Sequence, residues 1–166
     1  MFSGNEDTVY GLMYEANARD CFERKNSQSQ VVQTGILINP ILPWLGYSAD
    51  GIVCEENNTV NETLWECKSL KAGRKKTAAE LKTAASCMDP KKEGKLKDHH
   101  PYYGQIQLGM LLYELHECYF NLYSSKDDDV YIDTVMFNEK FCLKMIDTLT
   151  EIYFKHILPF LCKKKG

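Results

Sequence analysis

Apolar and small residues recur at helical spacing between Val9 and Lys25, at Leu12, Met13, Ala16, Cys21 and Phe22, which predicts a helix with one buried face. The polar run Asn26 to Gln30 ends it. Val31 to Ile38 reads as a strand, and Asn39-Pro40-Ile41-Leu42-Pro43 as an extended link, because each proline biases its predecessor away from helix. Trp44 to Cys54 predicts a second strand bent at Asp50-Gly51, Glu55 to Asn58 a turn, and Thr63 to Lys68 a third strand that completes a meander. Pro101 to Glu117 reads as a helix with proline at its start, where a missing N–H costs least. Cys118 to Ser124 and Val130 to Asn138 are strands around a Lys126-Asp127-Asp128-Asp129 turn. Glu139 to Lys163 is a long closing helix, with Phe141, Met145, Ile146, Leu149, Ile152, Tyr153 and Phe154 at helical spacing. The order helix, three strands, helix, two strands, helix predicts an α/β (α+β) sandwich without internal repeats, a single domain over residues 1–166.

The 166 residues are 44% apolar, enough to close one core and too apolar for low-complexity disorder. The longest apolar runs fall short of the roughly 18–20 residues a bilayer requires. The first residues carry no basic start followed by an apolar stretch, so the expected setting is intracellular, nuclear or cytoplasmic, and not secreted. Seven scattered cysteines with no C-x-x-C pair read as free thiols in a reducing compartment, which argues against a zinc site. The sequons at Asn57 and Asn61 would matter only in a secreted chain. The net charge of -3 conceals an asymmetry: from Lys68 to Asp98 ten basic residues face four acids, while the remainder holds ten basic and nineteen acidic residues. A basic stretch beside an acidic body can track a phosphate backbone.

The informative segment is Gly46-Tyr47-Ser48-Ala49-Asp50-Gly51, followed by Leu64-Trp65-Glu66-Cys67-Lys68. Side chains alternate faces along a strand, so Glu66 and Lys68 point the same way, about 7 Å apart at the Cα, while Trp65 and Cys67 point to the other side. Buried charges require pairing or a metal. If the neighbouring strand brings Asp50 alongside, two carboxylates converge, and a hard cation such as Mg²⁺, which accepts one or two carboxylates plus a substrate phosphate, becomes the natural compensator. The Cys67 backbone carbonyl could add another oxygen. On the plainer reading, Glu66 and Lys68 are an exposed pair on an edge strand and Asp50-Gly51 is a turn.

Two further segments shift the balance: Gly11-Leu12-Met13-Tyr14-Glu15-Ala16-Asn17-Ala18, with an acid in the first helix, and Tyr102-Tyr103-Gly104-Gln105, with an amide early in a later one. Together with Asp50, Glu66 and Lys68 they resemble the PD-(D/E)xK nuclease superfamily, and within it the branch of YqaJ-type viral recombinases and lambda-type exonucleases. The resemblance runs from about Tyr10 to Leu161. Four motifs carry it in order: the Gly11–Glu15–Ala18 helix, the Pro43-Trp44-Leu45-Gly46 strand through Ser48 to Asp50-Gly51, the Glu66-x-Lys68 strand, and the Tyr102–Gln105 helix.

The resemblance implies a restriction-endonuclease-like core, a central mixed five-stranded sheet flanked by helices. It implies that Asp50 and Glu66, with the Cys67 carbonyl, bind Mg²⁺ or Mn²⁺, and that Lys68 is the catalytic lysine. Glu15 would bind a second metal or orient the water. Gln105 would contact the scissile phosphate or the attacking water, with Tyr102 beside it. Lys71, Arg74, Lys75 and Lys76 are candidate DNA contacts. The implied activity is a metal-dependent DNA nuclease, with an exonuclease on linear duplex ends in recombination or repair favoured, in the 5'-to-3' direction. A homo-oligomer is implied as well, a trimer that encircles DNA. An endonuclease or RNA nuclease of the same superfamily, and a DNA-binding module that keeps the fold without activity, are the alternatives.

Two departures stand out. The family often has proline where this chain has Ala49, and relatives usually carry a further basic segment before the first helix, whereas nine residues precede Tyr10 here. The chain is therefore expected to be a nuclease domain of a longer protein. His99-His100 reads as a solvated loop more readily than as a catalytic pair, His116 and His156 are assigned no role, and Lys163 to Lys165 read as a solvated tail.

Overall fold

The computed structural model describes residues 6–55 and 58–163, with side chains described over 9–55 and 62–163. Helix α1, Glu6–Lys25, opens the chain, and five strands form the central sheet: β1 (Ser29–Val32), β4 (Gly51–Glu55), β5 (Asn58–Ser69), β8 (Glu117–Ser124) and β9 (Asp129–Met136), in that spatial order. β1, β4 and β5 are an antiparallel meander, β5 and β8 are parallel, and β8 and β9 close as a hairpin. This is the expected mixed five-stranded sheet. Part of the expected Glu55–Asn58 turn, and the lysines after Lys163, lie outside the described residues.

Several boundaries differ from the sequence reading, and β5 begins at Asn58, five residues before the expected Thr63. The stretch Val31 to Ile38 breaks into β1 and β2 (Ile36–Ile38), and Trp44 to Cys54 breaks into β3 (Gly46–Ser48) and β4. β2 and β3 pair with each other as a separate two-stranded sheet. Helix α3, Pro101–Tyr113, ends four residues early, at Glu114 with φ 57°, and Glu117 already belongs to β8. The closing helix is α4 (Glu139–Ile152), a π-turn over Tyr153–Ile157, and α5 (Leu158–Lys163). Pro159 has no N–H to give to Lys155, and the backbone widens just before it, with the Leu158 N–H bonding to the Tyr153 carbonyl. The basic stretch folds into a 3-10 turn (Lys71–Arg74), helix α2 (Ala78–Ala84) and the small pair β6 (Met88–Asp89) and β7 (Lys95–Leu96). A capping box between Thr77 and Glu80 starts α2.

Two cores flank the sheet. On one side Leu64, Cys118, Phe120 and Leu122 pack with Ile106 and Met110 of α3 and Leu81 of α2. On the other, Val53, Trp65 and Tyr123 pack with Ala18, Cys21 and Phe22 of α1. The buried face of α1 is thus Tyr10, Ala18, Cys21 and Phe22, with Tyr14 partly buried. Leu12, Met13 and Ala16, expected inside, are exposed, the first two at 72% and 63%. Tyr14 occupies the inner face by stacking on Tyr123 and tilting against Tyr10, which leaves Leu12 and Met13 on the outer side.

Candidate active site

β5 is the middle strand of the sheet, and its alternation sends Leu64 and Glu66 toward α3 while Trp65 and Cys67 turn toward α1. The edge-strand reading is thereby excluded: Glu66 is 0% exposed. Pairing of Gly51 with Trp65 brings the preceding Asp50 to the level of Glu66 and Cys67. Asp50 Oδ2 accepts the Cys67 backbone N–H at 2.9 Å. Gly51 is a glycine because β1 crosses close by; a Cβ there would lie 2.4 Å from Val31 Cγ1.

Among the described residues, three hydrogen bonds reach Glu66. Lys68 Nζ and Gln105 Nε2 donate to Oε1, at 2.5 and 2.6 Å, and the Tyr47 hydroxyl donates to Oε2 at 2.7 Å. α3 presents Gln105 one turn after its start, where Pro101 occupies the first position and His100 Nδ1 accepts the Tyr102 N–H. His100 is therefore a helix cap, while the exposed His99 pairs with Asp98. Tyr102 covers Lys68, with Nζ 5.3 Å from its ring centroid, and rests on His100 and Phe120.

Burial pushes the Glu66 carboxyl above its ordinary range, and Asp50 adds to this while Lys68 and Tyr47 oppose it. Glu15, half-buried on α1, is raised in the same way, by burial first and by Asp50 second, against Arg19 and a hydrogen bond from Gln33. Burial works to discharge Lys68, yet the Glu66 and Asp50 charges outweigh it and hold the ammonium above its usual value. The site therefore holds a firmly charged cation among crowded carboxylates.

A cleft of about 840 Å³ opens over these groups, lined among others by Gly11, Glu15, Asp50, Lys68, Lys71 and Tyr102. Of the basic candidates, Lys71 lines this cleft. The Arg74 guanidinium packs over the Tyr10 ring at 4.6 Å, tying the 3-10 turn to α1, and Lys75 and Lys76 are exposed nearby. Lys95 and Lys97 serve structure instead, bound to Asp133 and to the Ser86 carbonyl. Tyr47 is the contact that sequence reasoning missed. It lies within the Gly46 to Gly51 segment, but its strand pattern gives no sign that its hydroxyl would reach Glu66 from a separate hairpin.

A metal's fit rests on the donor set. Among the described residues no three His, Cys, Asp or Glu side chains close into a cage. The Asp50 and Glu66 carboxylates, the first raising the proton affinity of the second, stand beside an open cleft, the oxygen-rich, partly open arrangement that Mg²⁺ takes.

The YqaJ-like viral recombinase domain model matches residues 1–114. The chain belongs to that family. The family's span takes in Glu15, Asp50, Glu66, Lys68, Tyr102 and Gln105. Among solved structures, the chain is similar to an alkaline exonuclease (LHK-Exo) from Laribacter hongkongensis, with a TM-score of 0.72 at 20% identity over 98% of this chain and 76% of that one. LHK-Exo in complex with dAMP matches with a TM-score of 0.67 at 22% identity, over 100% of this chain and 78% of that one. At these identities the likeness establishes the fold, that of an alkaline exonuclease with the PD-(D/E)xK core. No curated protein matches the sequence. No described helix is long and apolar enough to cross a membrane.

Proposed function

We propose that the chain is a metal-dependent nuclease that hydrolyses phosphodiesters of DNA, acting as an exonuclease from the ends of linear duplexes, in the 5'-to-3' direction. The observation that carries this reading is the convergence of Asp50, Glu66, Lys68 and Gln105 from three elements separate in sequence, with Asp50 and Lys68 lining one cleft and Glu66 and Gln105 joined to Lys68 by hydrogen bonds at Glu66 Oε1. Family membership and the exonuclease fold support it, as does the deoxynucleotide held by the complexed relative.

Asp50 and Glu66, with the Cys67 carbonyl, are the residues that would hold Mg²⁺ or Mn²⁺, and Glu15 stands across the cleft as an additional ligand or a water-orienting group. When bound, such an ion polarises a phosphoryl oxygen and makes a bound water more acidic. Lys68 is held charged, so its part is electrostatic: an ammonium at the floor of the cleft stabilises the negative charge that builds on the phosphoryl group. Gln105 supplies an amide N–H that can turn from Glu66 to a phosphate oxygen. Tyr102 shields Lys68 from solvent, which strengthens that charge. Lys71 and the exposed Lys75 and Lys76 extend positive charge from the cleft along the path a DNA backbone would follow. Assembly of three copies around a duplex belongs to the same proposal.

The test uses linear duplex DNA labelled at the 5' or the 3' end, beside a closed circle and an RNA duplex. Loss of the linear DNA alone, with the 5' label released first, is expected. Cleavage of the circle would indicate an endonuclease, cleavage of RNA a ribonuclease, and DNA binding without cleavage a binding module.

A further inference from the structure

Two of the three donors on Glu66, Lys68 and Gln105, are groups that the nuclease reading assigns to the substrate. Neither can be a permanent anchor of the carboxylate. Tyr47 is the third, and among the described residues it has Oε2 to itself in the hydrogen bonds of Glu66.

Its placement is tightly determined. Tyr47 lies on β3, paired with Leu37 of β2 outside the main sheet, and only 6% of it is exposed. The ring passes under α3 at Gly109, where a Cβ would sit 2.6 Å from Tyr47 Cε1, 2.7 Å from Cζ and 2.9 Å from Leu64 Cδ2. One turn further along α3, Tyr113 meets the same ring edge-on, with centroids 6.3 Å apart at 82°. The Tyr113 hydroxyl bonds in turn to Thr34 and to the Gly35 carbonyl, at the foot of the same hairpin. Three residues beyond Tyr47, the chain delivers Asp50, so one short segment sets the position of both carboxylates.

We propose that Tyr47 is the positioning residue of the carboxylate pair: its hydroxyl anchors one oxygen of Glu66, and Gly109 provides the slot that aims it, so that Glu66 stays oriented for a divalent cation while Lys68 and Gln105 are engaged with substrate. This rests on the metal-dependent nuclease reading. A buried carboxylate without its anchoring donor turns more freely, and that weakens it as a metal ligand.

The experiment compares wild type, Tyr47→Phe and Gly109→Ala. Mn²⁺ binding to the protein alone is titrated, the melting shift induced by Mn²⁺ is recorded, and DNA cleavage is followed as Mg²⁺ is raised. Tyr47→Phe keeps the ring and is expected to weaken Mn²⁺ binding about ten-fold, to raise the Mg²⁺ needed for half-maximal cleavage by a similar factor, and to recover much of the rate when Mg²⁺ saturates. Gly109→Ala should move both in the same direction, although it removes no polar group. If Tyr47→Phe lowers the metal-free melting temperature, the Mn²⁺-induced shift and the Gly109→Ala titration decide the matter. Tyr47→Phe with the Mn²⁺ affinity and Mg²⁺ dependence of wild type overturns this proposal and leaves the nuclease reading standing. Wild type that takes up no Mn²⁺ overturns both.

Discussion

Gln105 on α3 and Glu66 on β5 are joined by a hydrogen bond of 2.6 Å from Nε2 to Oε1, across 39 positions of sequence. That bond ties the second turn of α3 to the central strand and links the helix's fold to the chemistry of the cleft. Gln105→Ala removes a donor from a fully buried carboxylate. It is expected to cost about 1–3 kcal/mol in urea unfolding and to slow DNA cleavage by about 10–100-fold. A variant with the stability and rate of wild type would show that the amide is incidental.

The Lys68–Glu66 pair separates stability from activity. Lys68→Ala strands Glu66 in the core and should cost about 3–5 kcal/mol. The neutral pair Lys68→Met with Glu66→Gln removes both charges and should regain most of that loss in thermal unfolding, with no return of nuclease activity. Recovery of cleavage along with stability would remove both residues from the chemistry.

Gly51→Ala tests the register that delivers Asp50. The added methyl would meet Val31 Cγ1 at 2.4 Å and the Val32 carbonyl at 3.3 Å, so β1 and β4 must separate. The expected cost is about 1–3 kcal/mol, with cleavage falling further than stability, because Asp50 moves with the strand. Equal stability and rate would mean that β1 yields without disturbing the site.

Acid sensitivity has a definite source away from the cleft. Hydrogen bonds from the Tyr123 hydroxyl, the Arg24 guanidinium and the Cys21 thiol hold the Asp128 carboxyl below its ordinary value of 3.8. The unfolded chain then takes up the proton more readily than the folded one. The stabilisation is thus fully present above that ordinary value and is lost as pH falls through the depressed one. Asp128→Asn should melt below wild type at neutral pH, and the gap should narrow as the pH is lowered through this range. A gap independent of pH would assign the effect to the hydrogen bonds alone.

The carboxylates and lysine were legible because strand alternation is a rule of backbone geometry. Glu66 and Lys68 had to share a face, and a meander had to bring Asp50 near them. The mixed five-stranded sheet was legible through the family resemblance rather than through alternation. Tyr47 was not, since β2 and β3 leave the main sheet and pair with each other, and no local pattern announces that excursion. The inner face of α1 was misread because tyrosines filled it: Tyr10 and Tyr14 displaced the more apolar Leu12 and Met13 through contacts with Ser125 and Tyr123, far away in sequence. Arg74 remains a candidate phosphate contact, and its packing over Tyr10 depends on a juxtaposition that charge counting does not register.

The most direct measurement is the rate of nucleotide release from linear duplex DNA in Mg²⁺, repeated with EDTA and with Lys68→Ala. The account predicts release that EDTA abolishes and that Lys68→Ala reduces by about 10²–10³-fold or more. Release that persists in EDTA, release by Lys68→Ala at the wild-type rate, or no release in either Mg²⁺ or Mn²⁺ would contradict it.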